Sequence, residues 1–144
     1  MLRKRNPQPS HPMTQRANGN FTVVMTPQPL RSDTTAVTPG RMQLDKTYSG
    51  DLVATAAGEM LIAMTPKPDS AGYVAIEWVS GTLHGRQGSF ALLHSGTMDR
   101  GAPQLSVTVV PDSGSAALTG LTGSLAIRRE GGQHFYDFDY SLPA

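Results

Sequence analysis

Two ionisable residues sit inside a stretch that otherwise reads as apolar strand: Glu77 and His94, in YVAIEWVSGTLHGRQGSFALLH (73–94). Burial raises a carboxyl pKa and lowers that of an imidazole, and pairing the two groups opposes both shifts. A carboxylate and an imidazole meeting away from water therefore form an acid–base couple. Such a couple can take a proton from a bound molecule, with Glu77 as acceptor and His94 as its orienter or partner acid. The same pair can equally be a structural hydrogen bond tying two strands together, since buried charge is costly unless paired.

What positions the pair is strand alternation. Successive side chains of a strand point to opposite faces. Tyr73, Ala75, Glu77, Val79, Gly81 and Leu83 thus share one face of the first strand. A two-residue type II′ turn at Gly85-Arg86 is expected, with glycine in the first central position. It places Gly81 opposite Phe90, Val79 opposite Leu92, and Glu77 opposite His94. A four-residue turn makes the pair diagonal but keeps it on one face; only an odd loop separates it.

The apolar content of this face (Tyr73, Val79, Leu83, Phe90, Leu92) marks it as the interior. HFYDFDYSL (134–142) adds His134, Tyr136, Phe138 and Tyr140 on one face, with Asp137 and Asp139 on the other as a solvated pair. MQLDKTY (42–48) puts Met42, Leu44, Lys46 and Tyr48 together; Lys46 either reaches inward or snorkels out at a rim. Leu105, Val107 and Val109 also point inward. The candidate lining for a ligand is Tyr48, Tyr73, Arg86, Phe90, Leu92, His134, Tyr136 and Phe138. Arg86 is there as a charge near the turn that could draw a carboxylate, the other reading being a solvent-exposed turn residue.

Other chemistries find little support. Glu77, His94 and His134 are metal-ligand types, but no close His-x-His spacing backs them, and no metal is expected. No serine sits in a strand-turn-helix elbow. PDSGSAALTGLTG (111–123) is Gly-rich but lacks the Gly-Lys-Ser/Thr ending and a following helix that a phosphate loop needs. The absence of cysteine excludes disulfides and Cys-based zinc sites.

The elements are short and all of one kind. Candidate strands cover 20–26, 41–49, 51–57, 59–65, 72–84, 87–97, 104–110, 123–129 and 134–142, and the third and fourth can be one strand bent about Gly58. No helix beyond one turn is expected. Eight or nine antiparallel strands with few edge features predict an all-β fold, a small closed antiparallel barrel of about eight strands, with a two-sheet sandwich as the alternative. Gly131-Gly132 suits a primed hairpin turn. On a closed barrel the opposite hairpin face (Val74, Ile76, Trp78, Ala91, Leu93) points out. That apolar strip suggests a subunit interface and hence a homo-oligomer, unless the Trp packs under the long 26–40 loop.

Composition agrees. The chain has 144 residues, 38% hydrophobic and 16% charged, with 15 Gly and 11 Pro, which suits one domain of short strands and turns. Three of the 12 basic side chains lie in residues 1–12, which carry no acid. The remainder holds nine against 11 acidic, net −2. The body lacks the basic footprint of a nucleic-acid binder. Residues 1–12 read as a disordered basic extension and 13–144 as one domain, with Met13 a plausible true start. The longest apolar run, Met60 to Met64, is too short to span a bilayer, and no hydrophobic signal core follows the basic start, so a soluble cytoplasmic protein without membrane contact is expected.

Several stretches resemble a bacterial family known as domain of unknown function 3224: MTQRANGNFTVVMTPQPL, LDKTYSGDL, GEML, SAGYVAIEWVSGTLHGRQGSFALLHSGTMDRG, LSVTVVPDSG and HFYDFDYSLP, spanning Met13 to Pro143. The resemblance implies a small antiparallel barrel similar to allene oxide cyclases, which hold an apolar fatty-acid epoxide in the lumen and steer its cyclisation. It implies no established activity. The family pattern includes Glu77, Gly81, Gly85-Arg86, Gly88, Phe90 and His94. Here SGSA (113–116) replaces the family's Ser-Gly-Thr-Gly, so Ala116 stands where glycine is usual. Trp78 stands where Arg is more frequent, so an interface built on it is not a family-wide feature. Two functions follow as expectations. One is a barrel that binds a small apolar molecule in its lumen and could offer it cofactor-free acid–base chemistry of the isomerase or cyclase type. The other is a filled, non-catalytic barrel used for structure or protein interaction.

Overall fold

Inward positions that alternate with polar ones build eight antiparallel strands. The computed structural model describes residues 14–30 and 37–143. The strands are β1 (Gln15–Pro27), β2 (Thr38–Gly50), β3 (Leu52–Met64), β4 (Ala71–Leu83), β5 (Arg86–Asp99), β6 (Ala102–Val109), β7 (Thr122–Glu130) and β8 (Gln133–Ser141). Each pairs with its sequence neighbour, and β8 returns to β1 from Gln15↔Tyr140 to Phe21↔His134, closing the barrel. The expected all-β closed barrel is the fold observed. Segments 51–57 and 59–65 form one continuous strand through Gly58. Among the described residues no helix is long and apolar enough to cross a membrane. The basic extension at 1–12 and part of the 26–40 loop lie outside the described residues.

Turn chemistry sets the register. Three hairpins use a two-residue turn with both central residues left-handed: His84-Gly85, Arg100-Gly101 and Gly131-Gly132. These are the type I′ dihedral signs, whose twist matches that of the flanking strands. The β4–β5 turn is therefore His84-Gly85, not Gly85-Arg86, and Leu83 pairs with Arg86. This corrects the expected register: Glu77 lies opposite Leu92, and His94 opposite Ala75. The shift is by two residues, so the parity argument holds and both side chains still point inward, now on a diagonal. A histidine tolerates the left-handed position because it is held on both sides. Its backbone N–H donates to the Asp51 carbonyl at 2.9 Å, and its ring Nδ1 is hydrogen-bonded to the Tyr140 hydroxyl.

One end of the barrel is closed. Between β6 and β7 the strands share only the Thr108↔Ser124 pair, and the connecting segment folds back along β5, its 3₁₀ turn (Ala116–Leu118) burying Leu118 and the residues just after it burying Leu121. Ser115 and Ser113 bond the Ser89 and Ala91 backbone N–H groups at 3.1 and 3.0 Å. Leu52, Leu83, Tyr136, Phe138 and Tyr140 complete the plug. At the opposite end, the methionines of the described residues (Met25, Met42, Met60, Met64, Met98) all fall on inward positions of their strands.

Candidate functional site

Cross-strand rows place the site. One row runs Leu44–Gly58–Glu77–Leu92–Val109, and the next one towards the methionine end runs Met42–Met60–Ala75–His94–Val107. Glu77 and His94 are thus diagonal neighbours on adjacent rows, within reach for long side chains. Their side chains meet: His94 Nε2 is 2.8 Å from Glu77 Oε2.

The partners on the other side come from β2. Lys46 and Tyr48 lie across β3 from Glu77, and the intervening inward residues are Ala54, Ala56 and Gly58. These small residues leave room for both β2 side chains to pass over β3. Lys46 Nζ lies 3.0 Å from Glu77 Oε2, and the Tyr48 hydroxyl donates to Glu77 Oε1. Lys46 also sits over the Phe21 ring, 4.7 Å from its centroid. Lys46 is therefore an inward residue, not a rim one, and alternation alone had left that choice open.

Glu77 is fully buried, while Lys46 and His94 keep 7% and 3% exposure. Burial pushes the Glu77 carboxyl up. The His94 hydrogen bond, the Lys46 charge and the Tyr48 hydroxyl outweigh it and hold the carboxyl below its ordinary value. Burial, then the neighbouring carboxylate, push the Tyr48 hydroxyl well up, so it stays a neutral donor.

An ionised Glu77 can only accept hydrogen bonds, so His94 must present a proton on Nε2. Nδ1 makes no hydrogen bond among the described residues. No fully buried side-chain nitrogen or oxygen there lacks a partner, so Nδ1 keeps a small contact with solvent within a side chain that is only 4% exposed. The arrangement leaves one imidazole nitrogen oriented by a carboxylate and unused, beside an ammonium bonded to the same carboxylate oxygen.

The remaining expected lining residues separate. Phe90, Leu92 and Phe138 are buried core. Tyr73 is half-buried above Gly96, its hydroxyl pushed up by burial and by Glu77. His134 stacks on Phe21 with ring centroids 5.1 Å apart. The Tyr136 hydroxyl is committed to backbone, accepting from Leu52 N–H and donating to the Ser49 carbonyl, both at 2.9 Å. Arg86 is exposed as the first residue of β5, beside the turn at the closed end and away from Lys46 and His94. Two residues that sequence reasoning gave no role form a second polar group there: His84 Nε2 lies 3.6 Å from Asp51 Oδ2, while its Nδ1 bonds Tyr140. The His-Gly turn signature was the available signal.

The family model described as protein of unknown function (DUF3224) matches residues 17–140. The chain is a member of that family. It is also similar to the crystal structure of a protein of unknown function from the DUF3224 family of Shewanella oneidensis MR-1, with 50% identity and a TM-score of 0.88, covering 92% of this chain and 100% of that one. No curated protein matches.

Proposed function

We propose that the barrel takes a small, largely apolar molecule in through its methionine-rich end and offers it acid–base chemistry of the isomerase or cyclase type. The observation that carries this reading is the carboxylate-oriented His94, with Nδ1 unused, beside the Lys46 ammonium. His94 Nδ1 is the base, and Glu77, low in pKa and fully engaged, is the positioning residue. This reverses the roles suggested by residue type alone. For a carbonyl substrate, Nδ1 takes the α-proton and the C–H electron pair moves into the enolate, whose oxyanion Lys46 stabilises. Return of the same proton to either end of the enolate leaves no net oxidation or transfer. Methionine suits the entrance because its unbranched, polarisable side chain adapts to varied apolar shapes. A likeness to allene oxide cyclase barrels, inferred from sequence, supports a ligand-holding lumen but carries no substrate with it.

A specific test is deuterium exchange at the α-carbon of medium-chain methyl ketones and cyclic enones in D₂O. The expected result is exchange above the buffer rate that His94→Gln and Lys46→Met both abolish while the far-UV spectrum is unchanged. Exchange at the buffer rate in the wild-type protein, with no ketone-induced change at the methionine methyl resonances, overturns it.

A second reading is a filled, non-catalytic barrel. It is favoured by three surface cavities among the described residues, of about 760, 770 and 370 Å³, none of which is lined by Glu77, His94, Lys46 or Tyr48. Under it, the buried cluster fixes strand register and has no ligand.

A further inference from the structure

The outer surface of the barrel divides into a charged half and an uncharged half. On β1, β7 and β8 the outward side chains form ion pairs: Arg16–Asp139 at 2.7 Å, Arg128–Asp137 at 2.8 Å and Arg128–Glu130 at 2.7 Å. From residue 72 to residue 97, across β4 and β5, no outward position holds Asp, Glu, Lys or Arg, and β6 contains none at all. The last charge before this face is the Arg41–Glu59 pair at 2.7 Å, spanning β2 and β3.

The uncharged half is also apolar. On outward positions, Leu61, Val74, Trp78 and Leu93 are between 45% and 58% exposed. Two adjoining grooves of about 760 and 770 Å³ share Leu61, Ile62 and Val74 as walls, and Trp78 and Leu93 line the second. Isolated exposed apolar residues are ordinary, but contiguous apolar surface without charge is the mark of an interface core, where charged residues are depleted and tryptophan enriched.

We infer that this face, centred on Trp78 and Leu93, is the surface by which two copies of the chain associate. The four exposed side chains alone present on the order of 400 Å², about half of the ~800 Å² each partner contributes to a standard interface. The neutral Ser, Thr and Gln positions around them extend the patch. A two-fold contact sets the same patch against itself, and a surface without net charge meets its own copy without repulsion, which a patch of one sign would not. The Arg41–Glu59 pair at its margin offers both signs to the partner's same pair. Trp78 at the centre matches the usual identity of an interface anchor.

Trp78 is the single tryptophan of the chain, so its fluorescence reports on the patch alone. The experiment is sedimentation velocity over a dilution series of the full chain, with tryptophan emission recorded in parallel. It is repeated for Trp78→Arg, for Leu93→Lys and, as a control on the charged half, for Thr22→Arg. The expected result is a dimer or larger closed assembly at micromolar concentration, with wild-type emission moving to the red on dilution. Leu93→Lys and Trp78→Arg should sediment as monomers with native far-UV spectra, and Thr22→Arg as wild type. A wild-type monomer throughout, with either red or blue emission, overturns the inference. So does an assembly that survives both substitutions, or one that Thr22→Arg dissociates equally.

Discussion

Gly58 lies directly across the β3–β4 pair from Glu77, and the side chain it lacks is part of the opening through which β2 reaches the carboxylate. A Cβ at Gly58 would stand 2.6 Å from the Ile76 carbonyl oxygen and 3.3 Å from the Glu77 Cα. Lys46, Tyr48 and His94 then meet on Glu77 from two different strands. The cluster is a product of one strand's small residues as much as of its own polar ones.

Removing the carboxylate charge should therefore be expensive. Glu77→Gln leaves Lys46 almost fully buried without its counter-charge. Breaking one partner of a buried ion pair typically costs about 3 kcal/mol or more. The expected outcome is a melting temperature lower by roughly 10 °C, since a chain of this size loses about 3–4 °C per kcal/mol. Calorimetry checks it, and a shift within one or two degrees of wild type would show that the cluster is not sealed.

The pH dependence has a definite sign. The Glu77 carboxyl is held below its ordinary value near 4.5 in the folded protein. A depressed acid contributes stability that is present above the unfolded pKa and is lost as pH falls through the folded one. Urea midpoints should thus be flat above the ordinary carboxyl range and fall below it. Glu77→Gln should flatten that fall. Asp139, lowered by its hydrogen bond and charge pairing with Arg16, acts in the same direction at the surface, so Asp139→Asn is the comparison. A wild-type and Glu77→Gln pair with parallel acid limbs would contradict the assignment.

Two glycines should behave differently. Gly58→Ala meets backbone, which cannot yield cheaply, and should cost about 1–3 kcal/mol in denaturant unfolding. Gly96→Ala meets the partly exposed Tyr73 ring, a side chain rather than backbone, which can give way at lower cost. Its expected signature is a smaller loss of stability together with greater solvent exposure of Tyr73, read from the tyrosine resonances.

Ala116 occupies a left-handed conformation, with φ of 52°. Alanine pays a steric penalty there that glycine avoids. Ala116→Gly should stabilise the protein by about 0.5–1 kcal/mol, less whatever the unfolded chain gains in freedom. A loss of stability on that substitution would show that the connecting segment is held in a different conformation.

Alternation made most of this legible. The period-two placement of Glu77 and His94 was enough to put both inside, because both plausible registers preserve parity. The register itself was not legible. Gly85-Arg86 satisfies one primed turn and His84-Gly85 another, and what decides between them is a long-range hold on His84 from Asp51 and Tyr140. Lys46 was ambiguous for a similar reason: a long aliphatic stem can go in or out, and only the small residues Ala54, Ala56 and Gly58 on the next strand settle its direction. That run of small inward residues was present in the sequence, but it becomes a signal only once β3 is known to lie between β2 and Glu77.

The protonation pattern of His94 tests the central claim most directly. For the neutral ring, long-range proton–nitrogen correlation spectra should show Nε2 carrying the proton towards Glu77 and Nδ1 as the unprotonated nitrogen. In Glu77→Gln this fixed tautomer should give way to a mixture. A wild-type ring protonated on Nδ1, or averaged between tautomers as a free imidazole is, would contradict the account.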